Sequence, residues 1–383
     1  MHKVSIGKRR NSSIELLKVV AIFLIVCHHV IQSLYLPSEV IESQPYLIDL
    51  SVATTNIQQF IIVLFNYGGV FGNTVFFICS AWFLLDNDEA DLKKILRMLL
   101  DVWIISIVIL IIVYFLRRGD VSFRMIKESM LPTTFANNWY VTCYILFYPL
   151  HTYLNRIVKT IKERQLLRCT LVLMTLYVCI GFIIGDHFFS SPIIVWITIY
   201  FMIAYMKYYL EDVSNNIRIN IILFLCGIFG NCGLVLFTNI IGIKTGLCSD
   251  WLFTWEKNCN PFIIVMVIGL FNIARNISFK NKVINYVSSL SLFIYIIHEN
   301  LLLRTYYRPL MWEFVYENVG YNQIVLCVLI ITSVVFLFGL LSSCVYTRLV
   351  QKTIYSICDR LYLKLSYLYV KTENDIVEKR KYK

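Results

Sequence analysis

Two histidines and a lysine lie in one apolar stretch near the start of the chain. Lys18 and His29 are eleven residues apart, so on a helix their side chains point within about 20° of each other, about 16 Å apart along the axis. Glu15, one turn earlier, can pair with Lys18, whereas His28 points about 100° away and is predicted to lie off this face. Because imidazole is a general base near neutral pH, the face is a candidate catalytic site. The alternative is a charge pair at a helix start plus a histidine bonded to a neighbouring helix.

A second polar set lies in a later apolar stretch, at residues 291–300. Tyr295 is three residues before His298 and Ser291 is seven residues before it, so the three side chains share a helical face. This face is a second candidate site. A polar seam that holds helices together would look the same, and the spacing favours neither interpretation.

Other polar residues in apolar stretches stand alone, and each is more typical of a hydrogen bond between helices than of chemistry. They are Asn73, Ser80, Asp101 and Asn138. A basic cluster of Lys93, Lys94 and Arg97 can hold phosphates, but the excess of cations on the inner side of membrane proteins explains it equally well.

The elements that carry these residues are membrane helices. The chain has 383 residues, of which 58% are hydrophobic and 15% charged, against about a quarter charged in soluble domains. Runs of about 20 apolar residues cross a bilayer as helices, because only helices satisfy their own backbone there. The prediction is an all-α polytopic bundle of about ten spans. The spans lie at roughly 14–35, 58–85, 95–116, 139–155, 168–185, 192–210, 219–238, 260–275, 286–303 and 323–347.

The charge distribution gives an orientation. The net charge of +11 comes from Lys and Arg in alternate links, which excludes a nucleic-acid-binding face and predicts both termini in the cytoplasm of a multi-pass plasma (bacterial inner) membrane protein. The link at 156–167 is predicted to be inside and that at 239–259 outside. The link with Arg117, Arg118, Arg124 and Lys127 departs from the rule and is predicted to be a functional outer loop.

Three parts of the chain follow from these patterns. Residues 1–13 form a cytoplasmic segment, residues 14–348 the transmembrane domain, and residues 349–383 a basic tail. The first apolar run lacks a cleavage site and is predicted to be a retained helix rather than a signal peptide. Residues 350–371 alternate apolar and basic side chains, which predicts an amphipathic helix on the inner membrane surface or an extension of the last span.

The twelve cysteines include no C-x-x-C pair, so no metal site is predicted. Cys248 and Cys259 fall in the predicted outer loop, where a disulfide is possible. Two unpaired thiols are the alternative, and Cα atoms more than about 7 Å apart would require them.

Five segments, in this order along the chain, resemble acyltransferase family 3, the polytopic membrane O-acyltransferases of cell-envelope glycans. They are Arg10-Asn11-Ser-Ser-Ile-Glu15-Leu-Leu-Lys18 with His28-His29, Phe76-Phe77-Ile-Cys-Ser80-Ala81-Trp82-Phe83, Lys94-x-x-Arg97, Asn138-Trp139-Tyr140 through Asn155, and Ile294-Tyr295-x-x-His298. The family pattern has an Arg where this chain has Lys18 and a Gly where it has Ala81. Lys18 keeps the charge but lacks the bidentate fork of Arg, and Ala81 has less backbone freedom than Gly.

The resemblance implies transfer of an acyl group, acetyl or succinyl, from cytoplasmic acyl-CoA to a hydroxyl of an envelope polysaccharide or lipid-linked sugar. Acyl-CoA would be a substrate, and no tightly bound cofactor is expected. The catalytic group would be His29, with His298, Tyr295 or Ser80 donating to the oxygen of the thioester carbonyl. Some proteins that resemble the family are exporters of polysaccharides, so a transporter of a polysaccharide or its lipid-linked precursor is the alternative function.

The remaining roles follow from the same resemblance. Cations at the cytoplasmic mouth would bind the CoA phosphates, and polar neighbours would support the substrates. The cations are Lys18, Lys94 and Arg97, and the supporting residues are Glu15, Ser80, Ser291 and Asn138.

Overall fold

The computed structural model describes residues 10–117, 120–185 and 191–364. Every regular element in these ranges is helical, as predicted. The helices are α1 (Ser12–Tyr35), α2 (Ile57–Asn66), α3 (Gly68–Leu84), α4 (Leu92–Leu116), α5 (Phe123–Met130), α6 (Trp139–Thr160), α7 (Glu163–Leu173), α8 (Gly181–Ile184), α9 (Pro192–Tyr209), α10 (Glu211–Asn215), α11 (Ile217–Thr245), α12 (Pro261–Asn276), α13 (Lys282–Ser289), α14 (Ser291–His298), α15 (Leu301–Tyr306), α16 (Arg308–Asn318) and α17 (Ile324–Leu349). A π-helical segment, Met174–Ile180, joins α7 to α8, and residues 351–364 are also helical.

Seven helical stretches in the described ranges are long and apolar enough to cross a membrane. They are Ser12–Tyr35, Ile57–Leu84, Leu92–Leu116, Glu163–Ile184, Pro192–Tyr209, Ile217–Thr245 and Ile324–Leu349. The other three predicted spans correspond to α6, to the 16-residue α12 and to the short helices α13 to α15, none of which meets that length and composition. The multi-pass architecture is thus confirmed, while the count of about ten spans and the placement of the termini stay predictions.

The predicted single helix at 286–303 is wrong, because the chain breaks it twice. Leu290 separates α13 from α14, and Glu299 and Asn300 separate α14 from α15. The Asn300 side chain accepts a hydrogen bond of 3.1 Å from the backbone amide of Leu302, which caps α15 and favours the break. The second break leaves His298 at the end of a helix, with Glu299 directly after it.

The first helix lies at the centre of the bundle. α1 packs against α2, α3, α12, α13, α14, α16 and α17, so it is an integral part of the fold. Its closest neighbour, α3, begins with glycines that let the two backbones approach. A Cβ atom on Gly69 would lie 2.6 Å from the His28 ring, and one on Gly72 would lie 2.6 Å from the Ala21 carbonyl oxygen. These glycines therefore set the position of His28.

Two outer helices, α4 and α17, present most of their surface outward. Only 33% of the apolar window of α4 and 39% of that of α17 are buried, against 67% for α1. Exposed apolar side chains, such as Ile112 and Phe115 of α4 and Leu341 of α17, suit contact with lipid rather than water.

The described part of the tail, residues 351–364, packs against α4. Asp359 pairs with Lys93 at 3.0 Å and with Arg97 at 2.8 Å. The Tyr355 hydroxyl donates to Asp101 of α4 at 2.7 Å. Arg118, residues 1–9 and residues 365–383, including the rest of the predicted amphipathic helix, lie outside the described ranges.

Cys248 and Cys259 are both free thiols. Of the two alternatives left open by the sequence, the structure therefore has the unpaired one. The Cys259 side chain is fully buried, as is usual for a cysteine that acts as a small apolar residue.

Candidate active site

Two helices, α1 and α14, meet at a pair of histidines. The Nδ1 atom of His29, from the C-terminal half of α1, lies 3.0 Å from Nε2 of His298, the last residue of α14. The Nδ1 atom of His298 lies 2.7 Å from the carbonyl oxygen of Ile294, one turn earlier. Both rings are buried. The sequence placed these two histidines in two separate candidate sites, and the structure brings them into direct contact.

The hydrogen bonds define the tautomers of this pair in its neutral form. A carbonyl only accepts, so Nδ1 of His298 must carry the hydrogen, and its Nε2 is an acceptor. His29 must then donate from Nδ1, which leaves its Nε2 with a free lone pair. Within the described ranges, Nε2 of His29 has no hydrogen-bond partner. His298 thus orients His29 so that a basic nitrogen is available.

A buried charge cluster lies behind the pair. Glu299 Oε2 is 3.5 Å from Nδ1 of His29 and 3.0 Å from Arg308, and Glu299 Oε1 is 2.8 Å from Arg304. Arg308 also donates to the backbone oxygens of His29, at 3.1 Å, and His298, at 2.6 Å. Two guanidinium groups therefore compensate the Glu299 carboxylate and hold α1, α14 and α16 together. These two arginines were not predicted from the sequence. The available signal was an apolar stretch that ends in His-Glu-Asn, with arginines close behind it.

The same residues have the spacing of a metal site. Ligand atoms of His29, His298 and Glu299 all lie within 4.8 Å of one another. However, the two imidazoles are joined by a hydrogen bond, and the carboxylate is already paired with two cations. We therefore interpret the group as a hydrogen-bonded cluster rather than as a metal centre.

The prediction that His28 lies away from the site is wrong. Its Nδ1 atom lies 2.8 Å from the carbonyl oxygen of Asn66 and 3.3 Å from Oε1 of Glu256, and the ring centroids of His28 and His29 are 5.0 Å apart. Both histidines line one cavity. Successive residues do point about 100° apart on a helix, but this cavity extends round two sides of α1.

Glu256 enters the site from the loop between α11 and α12. The Asn66 side-chain amide donates to it at 2.5 Å, and burial raises the pKa of the Glu256 carboxyl to about 8. Glu256 and Asn66 were not predicted from the sequence. An acid directly after the aromatic-rich run Trp251 to Trp255 was the available signal, but it contains nothing that relates it to α1.

The cavity between these groups has a volume of about 200 Å³. Its walls come from α1, α3, α6, α14 and the α11–α12 loop, and they are mostly polar around the two histidines. They are Ile25, His28, His29, Gly69, Val70, Asn73, Trp139, Glu256, Asn258 and Tyr295. Tyr295 lies on this wall, with its ring centroid 6.4 Å from that of His29 and 5.9 Å from that of His298.

An apolar groove of about 840 Å³ lies on the other side of the histidine pair. It runs between the outward-facing helices α4 and α17, with side chains such as Ile109 and Phe338 on its walls, and it reaches His298 and Arg308. The His29–His298 pair therefore separates a small polar cavity from a groove whose sides face lipid.

The predicted cations lie apart from this cavity. Lys18 pairs with Glu15 at 3.4 Å, and Glu15 also accepts from the Ser288 hydroxyl. Neither residue lines the cavity, so the prediction of one site along the shared helical face of Lys18 and His29 is not met. Lys94 lies over the Tyr148 ring, 4.8 Å from its centroid, and Arg97 is held by Asp359.

Three predicted supporting residues also lie away from the cavity walls. Ser80 is within hydrogen-bonding range of Tyr144 on α6. Ser291, at the start of α14, and Asn138, just before α6, are buried. Within the described ranges, the Ser291 hydroxyl and the Asn138 side-chain nitrogen have no hydrogen-bond partner.

The sequence of the helical bundle matches a known protein family. A family model described as an acyltransferase domain covers residues 11–352, which include His28, His29, His298 and the predicted cations. No curated protein and no solved structure matches the chain. Because the family match covers most of the chain, and because the bundle has multi-pass membrane character, the chain belongs to acyltransferase family 3 and is a membrane acyltransferase.

Proposed function

We propose that the protein transfers an acyl group from acyl-CoA to a hydroxyl, with His29 as the general base. The observation that carries this proposal is the free Nε2 of His29 in a polar cavity, with Nδ1 held by His298 at 3.0 Å. A hydroxyl is a poor nucleophile, and a positioned imidazole is the usual group that removes its proton.

The transfer is a single displacement at the thioester carbonyl. His29 Nε2 takes the hydroxyl proton, the oxygen bonds to the carbonyl carbon, and the carbon–sulfur bond breaks to release CoA. His298 and Glu299, both within 3.5 Å of His29 Nδ1, would stabilise the imidazolium. Tyr295, on the cavity wall, is the proposed donor to the carbonyl oxygen as it becomes negative.

The CoA phosphates would bind at the other end of α1. Lys18, near the start of α1, and Lys94 and Arg97, near the start of α4, are at least partly exposed, so they can exchange their present partners for phosphate. Lys18 is about 16 Å from His29 along the helix. Because the extended pantetheine arm separates the phosphates of CoA from its thioester, the cations and the base need not share one cavity. We further propose that Lys18, the acyl-CoA donor and both termini lie on the cytoplasmic side of the plasma membrane.

The acceptor would be an envelope polysaccharide or a lipid-linked sugar, and the acyl group acetyl or succinyl. Two features support an acceptor of this kind. The cavity walls include the carboxyl of Glu256 and the amide of Asn258, groups that bind sugar hydroxyls well. The apolar groove beside His298 has room for a lipid chain.

The test is CoA release from acetyl-CoA and succinyl-CoA by the purified protein in nanodiscs, with envelope glycan and lipid-linked oligosaccharide as acceptors. We expect acceptor-dependent release, reduced roughly 10²-fold or more by His29→Gln. His151→Gln is the matched control, since His151 is a buried histidine of α6 that bonds to the carbonyl oxygens of Tyr148 and Asn87. A folded His29→Gln variant with the normal rate would overturn the proposal and bring the transporter alternative forward.

A further inference from the structure

Two histidines line the cavity, but acyl transfer as written above uses only His29. The second, His28, is equally buried and lies beside a carboxylate, Glu256. Buried ionisable groups are costly inside a membrane protein, so a second buried histidine–carboxylate pair in the same small cavity needs a function of its own.

The two pairs differ in the charge around the carboxylate. Glu299 forms ion pairs with Arg304 and Arg308. Glu256 has His28 as its only ion-pair partner within the described ranges, and the Asn66 amide as a neutral donor. The carboxyl group beside His29 therefore has two arginines to compensate its charge, whereas the carboxyl group beside His28 has no arginine or lysine paired with it within the described ranges.

The other ionisable groups near Glu256 do not change this difference. Tyr35 of α1 and Tyr67, between α2 and α3, are close enough to interact with it, but both are neutral phenols at ordinary pH. Lys257 points the other way, where its ammonium group donates to the carbonyl oxygen of Phe182 at 2.7 Å. Glu299 and Arg308 also act on His28, with opposite signs.

Two similar ionisable groups in one active site can act as acid and base when their surroundings differ in charge. A carboxylate without a cation favours a protonated imidazole next to it, and a carboxylate saturated by arginines does so much less. We propose that His28, with Glu256 behind it, is the general acid of the reaction and protonates the departing CoA sulfur while His29 accepts the hydroxyl proton. This assignment rests on the proposed acyl transfer.

The step balances with these two groups. The acceptor oxygen loses its proton to Nε2 of His29 and bonds to the carbonyl carbon. The carbon–sulfur bond breaks, and the sulfur takes its proton from His28. His29 has then gained one proton and His28 has lost one. The two rings lie 5.0 Å apart. They return to their starting states when the extra proton on His29 passes to His28 through water or a hydroxyl of the acceptor. The products are the ester and the free thiol of CoA.

The hydrogen bonds of His28 suit this role. Its Nδ1 lies 2.8 Å from a carbonyl oxygen, that of Asn66, so Nδ1 carries a hydrogen in both protonation states. The exchangeable proton is therefore on Nε2 or is shared with Glu256. Since burial raises the pKa of Glu256 to about 8, this carboxyl holds a proton at neutral pH that it can share with His28, and it loses that proton as the pH rises past about 8.

The experiment is the pH dependence of kcat for the wild type and for Glu256→Gln in nanodiscs. The wild-type rate should fall about tenfold per pH unit above about pH 8, as the acid is lost. The variant should be roughly 10²-fold slower at pH 7 and should lack this fall, so the two rates should converge near pH 10. A purely structural role for Glu256 would instead lower the rate by the same factor at every pH, and parallel profiles would overturn the proposal.

A second measurement needs only the wild type and covers the case in which the variant does not fold. An acyl donor with an acidic aryl thiol as leaving group needs no proton on sulfur, so its transfer should not fall above pH 8. A fall of equal size with both donors would contradict the proposal.

His151→Gln should keep the wild-type profile. If the wild type released no CoA with any acceptor, the acyl transfer itself would fail; if only the profiles were parallel, only the role of His28 would fail.

Discussion

The two ends of α1 hold ionisable groups in different ways. At the histidine end, defined by His28, His29 and His298, the side chains are buried and their partners come from distant segments of the chain. At the cation end, defined by Lys18 near the start of α1 and by Lys94 and Arg97 near the start of α4, each cation is at least partly exposed and has a separate carboxylate or aromatic partner.

This difference follows from the cost of burial. A buried charged group is not hydrated, so the protein must supply all of its hydrogen-bond partners. A half-exposed cation keeps much of its hydration, so one weak partner suffices and can be exchanged. The histidine end is thus built to stay rigid during chemistry, and the cation end to exchange its partners for a ligand.

The largest difference between the two ends is expected when one carboxylate at each end is replaced by its neutral amide. Glu299 and Asp359 each pair with two cations, but the Glu299 side chain is 6% exposed and that of Asp359 is 35% exposed. Glu299→Gln should destabilise the protein by about 3–5 kcal/mol, because it leaves Arg308 buried without its counterion. Asp359→Asn should leave the thermal unfolding temperature nearly unchanged. Equal shifts of the two unfolding temperatures in nanodiscs would break the comparison.

A smaller effect is expected from moving one ring at the histidine end. A Cβ atom on Gly69 would lie 2.6 Å from the His28 ring, so Gly69→Ala must displace the imidazole. Misplacing a catalytic group by about 1 Å can cost up to about 10²-fold, and we expect kcat to fall at least about tenfold while the unfolding temperature changes little. Gly233→Ala is the matched control, since a Cβ there meets no atom within 4 Å. An unchanged kcat for Gly69→Ala would show that His28 has no placement-sensitive role.

The smallest effects should come from the cation end, on binding rather than on rate. Lys18→Met should raise the KM for acyl-CoA about tenfold, the equivalent of about 1.4 kcal/mol for one lost charged contact, with kcat within about twofold. Arg97→Met should raise KM less, because Asp359 already occupies its guanidinium group. Initial-rate kinetics over a range of acyl-CoA concentrations separate the two parameters. A fall in kcat for Lys18→Met with no change in KM would place Lys18 in the chemistry instead.

The sequence by itself determined the membrane class, the helical architecture and two of the three buried histidines in this site. Each of these depends on local properties. Apolar runs must be helical because each segment in lipid has to satisfy its own backbone, and the eleven-residue register from Lys18 to His29 depends only on helix geometry. The segment with Tyr295 and His298 was recognisable because an imidazole in an apolar run is rare and costly.

Only the tertiary structure decided which polar groups share the cavity. Glu256 lies in a loop that no local pattern connects to α1, and Asn66 reaches His28 only because Gly69 and Gly72 let α3 approach α1 closely. The helical register of α1 predicted that His28 lies on a different face of the helix from His29. The cavity is bounded by several helices and a loop, and it extends over both of these faces. The separation of Lys18 from His29 has the same origin. Helical periodicity fixes the direction in which each side chain points around the helix axis. The packing of neighbouring helices decides at which height along the axis a cavity is open.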